Sequence, residues 1–327
     1  MQPPAVKLMV SYLRRRQQRV KVGPSKSDWS TILKGVPQGS ILGPCIFNIF
    51  FNDFMYFMKT SPVNYADDNT ICATGKTLSD CLQNCKSDVD QALMWFQSNL
   101  MQANPAKFQF MHTSKEKDIP FTCGEVKLDS EDNVKLLGVN IDKQLKFSLH
   151  VNSVMRKCAR QLNALKRQSK LLNTKTKLLV YHAFISANFS YCPLVWVNRN
   201  KTDMVRLENV NKRALRLVFG KNFTYDELLN KAKSCSIEVK WKRQLAEEVY
   251  KAVHGLAPPY ICDMFQLKST PYNFRSIKID QPRFYTQTHG FNSLRQEGVR
   301  LWNSLPPHCQ NAKNTAAFKT YINSYIK

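Results

Sequence analysis

The sequence predicts an α+β fold in which strands and helices share the first half and helices dominate the second. Three observations carry this. Short apolar runs separated by turn residues occupy residues 63–71 and 119–147, as antiparallel hairpins require. Between them, residues 78–100 carry apolar side chains at helical spacing. From His150 onward helical spacing dominates, with basic residues on the remaining positions.

Residues 7–20 read as a short helix leading into a strand. Tyr12 and Leu13 are apolar anchors, and Arg14, Arg15, Arg16 and Arg19 form a basic run, a solvated face or a phosphate contact. Val20 and Val22 alternate with Arg19 and Lys21, and Gly23-Pro24 ends that strand. Next stands Gly35-Val36-Pro37-Gln38-Gly39-Ser40-Ile41-Leu42-Gly43-Pro44. Its glycines permit backbone shapes closed to other residues and let a ligand come close. Pro44 suits the first turn of a helix, where its missing N–H costs nothing. Ile46, Phe47, Ile49, Phe50, Phe51, Phe54, Met55, Phe57 and Met58 are apolar on nearly every side. That pattern predicts a helix buried in a core, roughly 22 Å long through Met58 at 1.5 Å per residue. With Pro44, Asn48, Asn52 and Asp53 it is too short and too polar to span a bilayer.

Tyr65-Ala66-Asp67-Asp68, between Val63 and Ile71, reads as a hairpin with two carboxylates at its tip. Adjacent side chains on a regular strand point to opposite faces. The two acids therefore serve one site only if a turn redirects one of them. Like charges this close repel unless a cation neutralises them, and Mg²⁺ favours carboxylates together with substrate phosphate. The pair reads as one half of a two-metal phosphoryl-transfer site.

Leu78, Cys81, Leu82, Cys85, Val89, Ala92, Leu93 and Phe96 recur at helical spacing, with Thr77 or Ser79 as the cap. This helix reads as core, without chemistry. Asn104-Pro105-Ala106-Lys107 follows, then Phe108, Phe110 and Met111. Strands are expected at Ile119–Phe121, Val126–Leu128 and Val134–Ile141, with Gly138 marking a close approach of another backbone. A first basic helix has Val151, Val154, Met155, Cys158, Leu162 and Leu165 on one stripe and Arg156, Lys157, Arg160, Lys166 and Arg167 elsewhere. A second is expected near 175–189. A third, 203–219, sets Leu207, Val210, Ala214, Leu217 and Val218 apart from Arg206, Arg213 and Arg216. Helices of this kind suit a bundle with one face in a core and another along a phosphate backbone.

The charge balance agrees. Over 327 residues, 48 Lys and Arg oppose 24 acids, a net charge of +24, which predicts a nucleic-acid partner ahead of a membrane surface. Residues 150–222 alone hold 15 Lys and Arg against Asp203 and Glu208. The ten cysteines include no C-x-x-C pair, so reduced thiols in an intracellular protein are expected, not a zinc site. No signal peptide is read in the proline- and arginine-bearing start; nucleus and cytoplasm are not distinguished.

GVPQGSILGP followed some twenty residues later by YADD resembles the reverse transcriptase of non-LTR (LINE-type) retrotransposons. The resemblance implies a polymerase palm, a thumb and RNA-directed DNA synthesis. Asp67 and Asp68 become catalytic, Mg²⁺-binding carboxylates. Gln38 and Gly39 line the nucleotide and template side, and Ala66 backs the primer end. Lys107 stands near the leaving pyrophosphate, although Phe108 replaces the family's usual hydroxyl residue. The Leu-Leu-Gly-Val stretch resembles the primer-grip hairpin, with Leu137 and Gly138 nearest the primer. Arg156, Lys157, Arg160, Lys166, Arg167, Arg213 and Arg216 become thumb contacts to the nucleic-acid backbone.

The expected division is a partial palm over 1–148, a basic helical thumb over 149–222 and a helical region of unassigned role over 223–327. RNA template, DNA primer or RNA–DNA hybrid, and deoxynucleotides are the implied partners, with no membrane. The family's palm carries a third carboxylate on a strand before Tyr12-Leu13, so the chain reads as N-terminally truncated and inactive alone. The alternatives are a non-catalytic nucleic-acid-binding remnant and an inert pseudogene-like product. His289 and His308 are isolated, which favours structural roles.

Overall fold

The computed structural model describes residues 3–60, 62–114, 116, 119–197, 200–268, 277–284, 290 and 293–326. His289 lies outside them. The fold is α+β and divides into two compact units, Met1–Phe110 with Ser114–Ser130, and Met111–Thr113 with Glu131–Lys327.

In the first unit α1 (Pro3–Leu13) leads to β1 (Arg16–Gln18), β2 (Lys21–Val22), β3 (Ser25–Lys26) and β4 (Ser30–Ile32). Then come α2 (Leu42–Phe51), a 3₁₀ turn (Phe54–Phe57), β5 (Val63–Tyr65), β6 (Asp68–Thr70), α3 (Leu78–Ser98), β7 (Phe121–Cys123) and β8 (Val126–Leu128). The antiparallel sheet expected here takes the form of separate two-stranded ladders: β1 with β4, β2 with β3, β5 with β6 and β7 with β8. These strands of two or three residues pair with neighbours close in the chain, β1 and β4 flanking the β2–β3 hairpin, and do not extend into a common sheet.

α3 begins where the sequence predicts, because Thr77 accepts from Asp80 N and Asp80 returns the bond to Thr77 N, a complete capping box. Its buried residues are Asp88, Ala92 and Trp95. Trp95 packs edge-on against Phe51 and Phe54, both at 5.2 Å between ring centroids. The helix expected to run buried to Met58 ends instead at Phe51 and is about 15 Å long. Only Gly43 and Phe51 of α2 are buried. Ile49, Phe50, Tyr56 and Phe57 stay exposed, because α3 supplies a partner for one side of this segment only.

In the second unit β9 (Asn133–Leu136) and β10 (Val139–Asp142) precede α4 (Ser148–Gln168) and α5 (Thr174–Val180). A π-helical turn (Tyr181–Ser186) leads on to α6 (Ala187–Ser190), α7 (Pro193–Trp196), α8 (Lys201–Phe219), α9 (Tyr225–Lys231) and α10 (Ile237–Val253). After α11 (Pro259–Cys262), the chain ends in α12 (Leu294–Ser304), α13 (Pro307–Gln310) and α14 (Thr315–Tyr325). One large core runs from Val139 through Leu207, Leu215, Trp241 and Tyr250 to Trp302 and Phe318. The expected joint at 148/149 falls inside this unit, where β10 packs on α4. Leu301-Trp302-Asn303, unassigned from sequence, is packing: Trp302 Nε1 donates to Ile277 O at 2.7 Å, and Asn303 exchanges two bonds with the Ile279 backbone.

All ten cysteines carry free thiols. Among the described residues no helix is long and apolar enough to cross a membrane.

Candidate active-site hairpin and nucleic-acid interface

Val63 pairs with Thr70, Asn64 with Asn69 and Tyr65 with Asp68. This register leaves Ala66 and Asp67 as a two-residue turn, the tightest loop an antiparallel pair allows. Ala66 takes φ 55°, a left-handed conformation that costs a residue with a Cβ roughly 1 kcal/mol or more. Asp67 therefore projects from the turn and Asp68 from the first position of β6. Both are exposed, and neither has an ion-pair partner among the described residues. A pair of solvent-facing carboxylates with no protein cation between them is a donor set that suits a hard divalent ion. Among the described residues no group of three or more His, Cys, Asp or Glu side chains is positioned to hold a metal.

Asp88 of α3 anchors the chain entering this hairpin. It is fully buried and accepts from Lys59 N at 2.9 Å, Thr60 N at 3.0 Å and the Thr60 hydroxyl. Asn64 donates to Met55 Sδ at 2.9 Å, tying β5 to the 3₁₀ turn. Sequence reading assigned this helix no role, yet a signal exists. Asp88 falls on the apolar stripe of Cys81, Cys85 and Ala92 at three- and four-residue spacing, where a carboxylate must find buried donors.

The glycine-rich loop owes its glycines to two constraints. Gly35 and Gly39 take φ 76° and 79°. At Gly43 a Cβ would stand 2.9 Å from both Pro37 O and Ser40 Oγ, and Ser40 Oγ receives Gly43 N at 3.0 Å while donating to Pro37 O at 2.8 Å. Arg16 donates to the carbonyls of Lys34 and Gly35, fastening the loop to β1. Gln38 and Gly39 are exposed. Lys107 ends a 3₁₀ turn capped by Asn104, whose side chain accepts from Ala106 N at 3.1 Å, and it too is exposed.

Leu137 and Gly138 lie in the second unit. They form the two-residue turn between β9 and β10, with φ 46° and 85°, the double positive φ of a type I′ turn. Gly138 is required by this conformation and not by a close backbone: the nearest atom to a Cβ there is Tyr191 Cε1 at 3.9 Å. Tyr191 donates its hydroxyl to Leu137 O at 2.6 Å, and Trp196 Nε1 donates to Tyr191 O at 2.9 Å. His150 of α4 accepts from Asn140 N through Nδ1 at 3.3 Å and meets the Trp196 ring edge-to-face at 4.9 Å. Burial holds its imidazole below the ordinary value of 6.5. Tyr191 and His150 brace the turn, and neither carries a sequence signal beyond its residue type.

Arg156, Lys157, Arg160, Lys166 and Arg167 are exposed on α4, and Arg213 and Arg216 on α8. The apolar stripes predicted for both helices face the core. Arg206 differs from its basic neighbours: it pairs with Asp203 at 2.7 Å and donates to Asn152 at 2.7 Å. It fastens α8 to α4.

Residues 2–141 match the family described as reverse transcriptase (RNA-dependent DNA polymerase). The chain is 26% identical over 226 residues to the probable RNA-directed DNA polymerase from transposon BS of Drosophila melanogaster, covering 64% of this chain and 25% of that protein. It is 25% identical over 232 residues to the probable RNA-directed DNA polymerase from transposon X-element of the same species, covering 65% and 25%. With the RNA-directed DNA polymerase from mobile element jockey, also of Drosophila melanogaster, identity is 24% over 236 residues, covering 67% and 25%. The chain thus spans about a quarter of the length of these curated relatives. No solved structure matches it. Residues 2–141, which match the reverse transcriptase family, hold the glycine loop and the acidic hairpin, and the chain is similar over about two thirds of its length to RNA-directed DNA polymerases of LINE-type retrotransposons.

Proposed function

We propose that this chain is the palm-to-thumb portion of a retrotransposon reverse transcriptase. The observation that carries it is the Ala66-Asp67 turn, which presents two unpaired carboxylates within the family-matching segment. On this reading Asp67 and Asp68 bind Mg²⁺, which when bound neutralises charge on the nucleotide phosphates and activates the primer hydroxyl. Gln38, Gly39 and Ala66 border the nucleotide, template and primer end, and Lys107 stabilises charge on the leaving pyrophosphate. Leu137 and Gly138 guide the primer strand.

The exposed cations of α4 and α8 hold an RNA–DNA hybrid by its phosphates, with α4 and α8 as the thumb. Residues 223–327 serve as packing support for those helices, a role supported by α10 lying against α8. The polypeptide of this sequence is expected to bind hybrid without extending it, because two carboxylates supply only part of a cage for two ions.

Two measurements test this. Hybrid affinity should fall steeply with salt, and Arg156→Ala with Arg160→Ala should lower the log–log slope by about 2. Absence of hybrid binding at low salt refutes the interface. Primer extension should be absent; metal-dependent incorporation that vanishes in Asp67→Ala would overturn the expected inactivity while upholding the site.

A further inference from the structure

A cleft of about 380 Å³ opens in the second unit beside the Leu137–Gly138 turn, a size typical of small-ligand sites. Lys157 and Gln161 of α4, Phe184 of the π-helical turn, Asn188 of α6 and Tyr191 are among its lining residues, and no carboxylate lines it among the described residues.

The π-turn shapes one side. It widens the helix so that Tyr181 and Ile185 are fully buried while Phe184 stays 57% exposed. π-bulges of this kind recur at functional sites. Asn188 donates to Gln161 Oε1 at 2.8 Å and to the Phe184 carbonyl, so α6 and the π-turn are held to α4. Tyr191, 51% exposed, is immobilised by its bond to Leu137 O. The Tyr191 ring belongs to the brace of the turn, and Phe184 adds a second, exposed aromatic face to the cleft lining. An aromatic face beside a lysine, with amides close by, matches the three parts of a nucleotide: a base to stack, a phosphate to neutralise and polar edges to meet.

We propose that this cleft receives one unpaired nucleotide of a bound strand, its base against Phe184 and its phosphate at Lys157. The inference rests on the hybrid-binding reading above and adds a specific contact to it.

The full chain is titrated with two RNA–DNA hybrids of equal duplex length, one blunt and one ending its DNA strand in a single unpaired 2-aminopurine nucleotide. The overhang should bind about tenfold tighter, the usual scale of one base–aromatic stack, and its fluorescence should be quenched. Phe184→Ala should abolish both effects and leave blunt-hybrid affinity unchanged; Phe184→Trp should retain them. Equal affinity for the two hybrids in the unaltered chain, or a preference that survives Phe184→Ala, overturns the pocket while leaving hybrid binding intact. If neither hybrid binds, both readings fall.

Discussion

Asp88→Ala removes the anchor of the acidic hairpin without touching the hairpin itself. The carboxylate accepts three hydrogen bonds, two of them from the backbone N–H groups of Lys59 and Thr60. Alanine leaves both donors without their acceptor. An unmet buried donor costs about 1–3 kcal/mol, and the lower half of that range applies because Lys59 is exposed and Thr60 half-buried, within reach of water. The sum is about 2–4 kcal/mol. At 1.4 kcal/mol per tenfold, local opening becomes about 30- to 700-fold more frequent. Native-state hydrogen exchange reads this directly at Lys59, Thr60 and the Tyr65–Asp68 ladder, with α10 as an internal reference. Asp88→Asn keeps one acceptor oxygen and should lose about half as much. Unchanged exchange at Thr60 in Asp88→Ala would refute the claim that α3 positions the hairpin.

His150 gives the second unit a pH dependence. Its folded imidazole resists protonation more than the unfolded one, whose ordinary value is 6.5. Its contribution is fully present above that value and is lost as pH falls from there through the lower folded pKa. The drop in urea midpoint between pH 7.5 and 5.5 should shrink in His150→Gln, and an equal drop in both chains would exclude this group. Gly298 of α12 is a packing requirement: a Cβ there would stand 2.8 Å from Phe265 Cε1 and 2.9 Å from Val249 Cγ2. Gly298→Ala should destabilise by up to about 2 kcal/mol, overpacking of about 1–3 kcal/mol less the gain in helix propensity of about 1 kcal/mol. Tryptophan fluorescence in urea measures it; a stabilised variant would contradict the close approach of α12 to α10.

Periodicity reports what one helix or strand does locally, and the elements it described well are those whose ends are set locally. α3 is delimited by its own capping box, and the turns at Ala66–Asp67 and Leu137–Gly138 follow from loops of two residues. What covers a face is a different question. The run from Ile46 to Met58 is apolar enough for a buried helix, yet only the side reaching Trp95 is covered in its unit. On α3 the same ambiguity works in reverse, since Asp88 looks polar and is fully buried. Its burial depends on two N–H groups from a segment nearly thirty residues away.

Glycine illustrates why the remainder was hidden. Gly35, Gly39 and Gly138 answer to positive φ, whereas Gly43 and Gly298 answer to lack of room. A sequence announces that some constraint exists at each, but only the neighbours decide which. The acidic hairpin is a special case because both requirements are local. A strained alanine turns the chain, and the turn separates two adjacent acids from the alternation of a strand. That is why its shape was readable at the level of four residues, while the supports at Asp88, His150 and Tyr191, each made from long-range contacts, were not.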